Sequence, residues 1–274
     1  AGAVAIAACG GHGGARADAP RAAACRAGDR VVRITSAGAQ RTARVHVPRR
    51  GAGTRRPLLL ALHYAGADGR IMEALSGFSR SADRRGFVVA YPDALPRSRP
   101  FWNATASPAK PDDVAFARDL IARLAAEGCV DPDRVSATGV SSGASMVALL
   151  GCRLHLTGIA PVAGSYTRVT ACPGAPPLDV LEVHGTGDTV APYGGRPGRS
   201  ASVPEFLAGW RATDGCTAPP RRRGERTDWP CAHDTRVAQL KLRGAGHGLP
   251  PNPPIQGRRS KTDVPKAITS FLFR

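Results

Sequence analysis

Residues 57–63 run Pro-Leu-Leu-Leu-Ala-Leu-His, apolar without alternation, as expected for a central strand covered on both faces. Residues 87–91, Phe-Val-Val-Ala-Tyr, form a second such run, stopped by Pro92. Residues 30–34 and 42–47 alternate instead, and predict two half-buried strands joined by a turn at Gly38. Further strands are expected over 157–162, 178–183 and 237–242. Helical spacing lies between them. Val114, Phe116, Ala117, Leu120, Ile121 and Leu124 share one face of a helix capped by Asp112 or Asp113. Other helices are predicted over 70–85, ended by Gly86, over 203–213, and over 265–273 with Asp263 near its start. Residues 93–111 carry four prolines and read as a long loop. Strands alternating with helices imply an α/β domain over residues 29–274, with a mainly parallel central sheet and helices on both faces. No internal repeat interrupts it.

Residues 134–150 are the densest in chemistry. Val135 and Ala137 begin the segment as a buried strand would, and residues 144–150 are a helix-forming apolar run. Gly139-Val-Ser141-Ser-Gly143 stands between them. A strand, a tight turn with glycine on both flanks and then a helix is the setting of a nucleophile elbow, which leaves the Ser141 hydroxyl exposed at the turn. A serine hydroxyl needs a histidine to take its proton, and that histidine needs a carboxylate to fix its tautomer. The α/β-hydrolase fold supplies them in the chain order Ser, Asp/Glu, His, each just past a strand end. The strand ending near Val183 runs into His184-Gly-Thr-Gly-Asp188, and the strand ending at Leu242 runs into Gly244-Ala-Gly-His247-Gly. Ser141, Asp188 and His247 are therefore the expected catalytic residues. His184 and His63 also end strands, a position where histidine more often bonds loop backbone. His12, His46, His155 and His233 lack catalytic context. Asp214 and Asp234 read as solvated. The oxyanion donors are expected to be the backbone N–H groups of Ser142, just after the nucleophile, and Tyr64, in the loop after the 57–63 strand. Tyr64, Trp102 and Leu249 are the candidates for an apolar substrate wall.

The 274 residues carry 38 Lys and Arg against 21 Asp and Glu, a net charge of +17. Lysine occurs only at positions 110, 241, 261 and 266, so arginine dominates. The arginines are spread along the chain, and their densest cluster, Arg221-Arg222-Arg223, falls in a loop rich in Pro and Gly. No nucleic-acid motif accompanies the charge, which reads as a solvated surface suited at most to acidic polymers. A polyanion-binding protein with little catalysis is the alternative of another class. Seven cysteines, at 9, 25, 129, 152, 172, 216 and 231, show no metal-ligand spacing. Their odd number suggests three disulfides and one cysteine apart, outside the cytoplasm. Residues 1–28 read as a signal remnant and flexible linker. Residues 1–8 are apolar but too short to span a bilayer. Ile6-Ala-Ala-Cys9 resembles a bacterial lipobox, making Cys9 a lipidation candidate and lipid the expected route to a membrane.

The glycine-flanked serine, Val183-His-Gly-Thr-Gly-Asp188 with Val190-Ala-Pro-Tyr193, and Gly244-Ala-Gly-His247 together resemble the esterase family of polyhydroxybutyrate depolymerases. That family includes lipoprotein LpqC-type proteins, feruloyl esterases and acetylxylan esterases. Ser76-Gly-Phe-Ser79, Gly86-Phe-Val-Val-Ala-Tyr-Pro-Asp93, Gly128-Cys-Val-Asp-Pro-Asp-Arg-Val135 and Ala160-Pro-Val-Ala-Gly164 are similar to it too. The resemblance covers about residues 29–274. It implies a secreted or surface-anchored serine ester hydrolase that needs no cofactor or metal and acts on polyesters of the polyhydroxybutyrate type, or alternatively on feruloyl or acetylxylan esters. It also implies the disulfides Cys152–Cys172 and Cys216–Cys231, which leaves Cys25 with Cys129. Two departures stand out: Leu62-His63-Tyr64 where the family usually has Leu-His-Gly, and Leu249-Pro250 where it often has Trp-Pro.

Overall fold

The computed structural model describes residues 25–49, 54–95, 99–167, 172 and 174–273. Cys9 and the rest of the expected signal remnant lie outside the described residues.

The apolar runs become one ten-stranded sheet. In chain order the strands are β1 (Gly28–Ser36), β2 (Ala39–Val47), β3 (Arg56–Leu62), β4 (Val88–Pro92), β5 (Val130–Val140), β6 (Gly158–Val162), β7 (Asp179–Gly185), β8 (Arg221–Arg223), β9 (Arg226–Pro230) and β10 (Arg236–Leu242). Their spatial order is β1-β2-β4-β3-β5-β6-β7-β10-β9-β8. The six strands from β4 to β10 in that order pair in parallel, and antiparallel pairs flank them on both sides. The expected mainly parallel sheet is present.

The helices are α1 (Gly69–Ser76), α2 (Phe78–Arg85), α3 (Asp113–Ala126), α4 (Ser142–Arg153), α5 (Val203–Thr213) and α6 (Val264–Leu272). Two cores lie on opposite faces of the sheet. Phe116, Leu120 and Leu124 of α3, Met146 and Val147 of α4, and Phe206 and Trp210 of α5 bury one face. Met72 of α1, Phe78 of α2, and Val264, Ile268 and Phe271 of α6 bury the other. This double cover explains the unbroken apolar runs of β3 after Arg56 and of β4, since each wholly buried Leu or Val contributes roughly 1.5–3 kcal/mol.

Three expectations change. The helix foreseen over 70–85 is two helices, because Gly77 at φ 64° sits in the left-handed region and ends α1 before α2 begins. The Arg-rich loop is a hairpin, β8–β9, closed by the two residues Gly224-Glu225, with Gly224 at φ 61°. Its arginines line the sheet edge, where charge discourages a second chain from pairing. Asp214 is not solvated: it is 1% exposed at the end of α5.

Disulfides join Cys25 to Cys129, Cys152 to Cys172 and Cys216 to Cys231. The first fastens the segment before β1 to the residue before β5. Across the same layer, Arg41 of β2 pairs with Asp113 at 2.7 Å, both buried, and its guanidinium lies 3.9 Å from the Phe116 ring centroid. Asp112, not Asp113, caps α3 by accepting the Ala115 N–H.

Burial lifts the Asp214 carboxyl to about 7, helped by the neighbouring Asp179 and opposed by the Leu178 amide. The folded state therefore keeps a proton that the unfolded chain releases near pH 4, about the usual carboxylate value. Stability from this group falls as pH rises from about 4 to about 7 and is level above. Asp214→Asn, which cannot ionise, is expected to gain melting temperature over the wild type at pH 8, with the difference closing toward pH 4. Parallel melts of the two proteins across that range test it.

Candidate active site

Parallel pairing sends every central strand toward one edge of the sheet, and the expected residues gather there. β5 ends at Val140 and Ser141 follows as the N-cap of α4, at φ 57° and ψ −114°. A serine with positive φ is strained, and the surrounding structure must hold it there. It is held partly by the Ser141 N–H, which donates to the Val162 carbonyl at 2.9 Å. The glycines permit the rest. A Cβ on Gly139 would lie 2.6 Å from the Gly143 carbonyl carbon, and one on Gly143 would lie 2.5 Å from the Leu62 carbonyl oxygen and 2.6 Å from that of His63. The turn after β5 therefore packs directly under the end of β3, next to Tyr64. Ser142 opens α4, so its N–H has no intrahelical partner and belongs to the positive end of the helix.

Asp188 and His247 come together in the loops after β7 and β10. His247 Nδ1 donates to Asp188 Oδ2 at 2.7 Å, and both residues are buried. That bond fixes the tautomer in which Nε2 carries the free lone pair. The other Asp188 oxygen accepts the N–H groups of Val190 at 2.9 Å and Ala191 at 2.8 Å. Burial alone would raise the Asp188 pKa. Hydrogen bonds from His184, His247 and Ala191 outweigh it and hold the carboxyl well below the usual carboxylate range. The His247 loop is clasped by the 255–258 segment: His247 N–H donates to the Gln256 carbonyl at 2.9 Å and Ile255 N–H to the His247 carbonyl at 2.8 Å. Gly246 passes against the Gln256 carbonyl, where no side chain fits.

The other two strand-end histidines are committed. His63 Nδ1 donates to the Tyr64 carbonyl at 2.8 Å, and its Nε2 accepts the Ala94 N–H at 3.0 Å. Burial lowers its pKa, so it stays neutral and braces the loop. His184 lies wholly buried behind Asp188. Trp102, a candidate for the apolar substrate wall, is 2% exposed, and its indole N–H donates to the His63 carbonyl at 2.9 Å. It shapes the Tyr64 loop from behind. Asn103, next in the chain, is tied by its N–H to Asp113 at 2.7 Å. Leu249 is buried in the core that includes Val140 and Leu242. Tyr64 is half-buried against that core.

Three side chains escaped the sequence reading. Among the described residues, five large hydrophobics are exposed; Val31 and Leu75 lie elsewhere, and the three in question are Phe101 (56% exposed), Val190 (45%) and Ile255 (63%). Each stands on a segment tied to the site: Phe101 beside Trp102, Val190 two residues past Asp188, and Ile255 bonded to His247. The signal was faint, since single apolar residues in Pro-rich loops are common.

No family model matches the sequence. Feruloyl esterase B of Piromyces equi is 27% identical over 211 residues, 70% of this chain and 39% of its own length. An acetylxylan esterase of Coprinopsis cinerea is 35% identical over 98 residues, 34% of this chain and 26% of its own. The chain spans less than half the length of the curated relatives it matches. Among solved structures, an acetyl xylan esterase from Aspergillus awamori superposes with a TM-score of 0.62 at 17% identity, covering 81% of this chain and 95% of that one. The fold is that of the α/β hydrolases.

Gly143→Ala should cost about 1–3 kcal/mol, because backbone rather than a movable side chain meets the new methyl. A urea titration reads this as a lower midpoint. A midpoint equal to the wild type would mean that the β3–α4 contact is looser than described.

Proposed function

We propose that the chain is a serine carboxylic ester hydrolase working through Ser141, His247 and Asp188. The observation that carries this reading is the buried 2.7 Å hydrogen bond between His247 and Asp188, at the same sheet edge as the strained elbow of Ser141. His247 Nε2 takes the Ser141 proton as the hydroxyl oxygen attacks the acyl carbon. The Ser142 and Tyr64 N–H groups face the oxyanion that forms. His247 returns the proton to the departing alcohol, and a water, activated in the same way, releases the acyl group. Asp188 stays ionised throughout and stabilises the imidazolium.

The esterase relatives support ester chemistry. The motif resemblance supports a polyester of the polyhydroxybutyrate type, and the names of the relatives support feruloyl or acetylxylan esters as the alternative. Phe101, Val190 and Ile255 favour an apolar or aromatic chain over a small polar ester, since they place exposed hydrophobic surface on the loops of the site. The three disulfides support an oxidising, extracytoplasmic setting, with Cys9 as the point of lipid attachment.

Ser141→Ala should reduce kcat by roughly three orders of magnitude or more while the melting temperature holds. The assay compares p-nitrophenyl butyrate, methyl ferulate, acetylated xylan and a polyhydroxybutyrate film. Activity in that variant equal to wild type would end the nucleophile assignment, and serine-dependent turnover of one substrate above the rest decides the class. Phe101→Ser and Ile255→Ser should each raise KM about tenfold on the film or the ferulate and leave p-nitrophenyl acetate within about twofold. Equal loss on both substrates would place these residues in the fold rather than at the substrate.

A further inference from the structure

β7 carries two buried ionisable residues where a strand covered on both faces should be apolar. Glu182 and His184 alternate with Leu181 and Val183, and all four are buried. They share the face occupied by Tyr166 and Phe206, whose rings stack at 3.7 Å. Burying a charged pair costs several kcal/mol per ion before compensation, and an apolar pair would often serve stability equally well. The placement therefore calls for another reason.

The hydrogen bonds supply one. His184 Nδ1 lies 2.9 Å from Glu182 Oε1, and Nε2 lies 2.7 Å from the Ala191 carbonyl oxygen and 3.5 Å from Asp188 Oδ2. Both ring nitrogens thus face acceptors alone, which suits a ring that carries both protons. The Tyr166 hydroxyl donates to the same Glu182 oxygen at 3.1 Å. The remaining neighbours are compatible with a cation. Tyr193 meets the His184 ring edge-on at 6.0 Å, its hydroxyl accepts from Gln239 at 2.8 Å, and the Lys241 ammonium lies over the Tyr193 ring, 4.6 Å from its centroid. Burial opposes the charge on His184, but Asp188, Glu182 and the Ala191 carbonyl outweigh it and raise the pKa to about 10.

We propose that His184 and Glu182 are positioning residues for ester hydrolysis: a buried imidazolium–carboxylate pair that presses on the back of Asp188 and keeps its carboxylate aimed at His247. The line Tyr166–Glu182–His184–Asp188–His247 extends the Asp–His pair into the core by three residues. Neither new member touches substrate. The inference rests on the reading of Ser141, Asp188 and His247 as a triad.

The test has two arms, on the intact chain. In the first, the protein is labelled with 15N-histidine and titrated by NMR, in both wild-type and Ser141→Ala forms. One buried ring should stay doubly protonated to about pH 9, vanish in His184→Gln, and lose its second proton at lower pH in Glu182→Gln. In the second arm, His184→Gln and Glu182→Gln are assayed on p-nitrophenyl butyrate. Each should lower kcat at least about tenfold with KM within about twofold, because aim is lost and binding is not. Glu182→Gln keeps the size and one acceptor oxygen of Glu182, and stands in if His184→Gln fails to fold. A His184 ring that titrates at or below the ordinary histidine range overturns the proposal, as do folded variants with wild-type kcat. If Ser141→Ala is itself fully active, the triad reading falls and takes this one with it. If Ser141→Ala is dead and the β7 variants are unimpaired, this one falls alone.

Discussion

The architecture of the site depends on one close approach. The end of β3 and the first turn of α4 meet with only hydrogen atoms at 139 and 143 between the backbones. That contact holds Ser141 at a positive φ and sets the Tyr64 loop beside the helix N-terminus in the same stroke. Everything else at this edge adjusts to it. Trp102 and His63 hold the loop from one side, while the Arg41–Asp113 pair and Asn103 fix the segment that carries Trp102. These are long-range links, and they make the position of Tyr64 depend on a salt bridge two strands away.

Much of this was legible in the sequence, for physical reasons. The unbroken apolar runs of β3 and β4 could only be strands covered on both faces. Asp188 and His247 were visible because each follows a strand end among glycines, and the spacing of strand, loop and acid survives without knowledge of the third dimension. Other features were hidden by the same logic. Gly77 is tolerated in a helical pattern on paper, yet its left-handed backbone divides α1 from α2. The residues of β8 and β9 read as a loop because Arg, Pro and Gly dominate their composition, whereas pairing to β10 is a tertiary matter. Trp102 looked like a pocket wall because nothing local reveals that its indole is spoken for by His63. Glu182 and His184 did leave a trace, as two polar residues inside a buried strand, but the carboxylate that gives them meaning lies in a different loop.

The charge of the chain divides into two populations with different physics. Arginines on β8 remain in water, where their main effect is to keep the sheet edge from recruiting another strand. Inside, near the sheet edge that carries Ser141, the charges are tied to particular partners: Arg41 with Asp113, Glu182 with His184, Asp188 with His247. Only the second population is organised around the site.

The Cys25–Cys129 disulfide pins the segment before β1 to the residue just before β5. Ser141 follows the other end of β5, so the disulfide and the elbow lie on opposite rims of the sheet. Whatever is attached upstream of Cys25 thus pulls from the rim away from the chemistry. A protein held by that rim would turn the Ser141 edge of the sheet away from whatever holds it, and so leave that edge open to a bulky substrate.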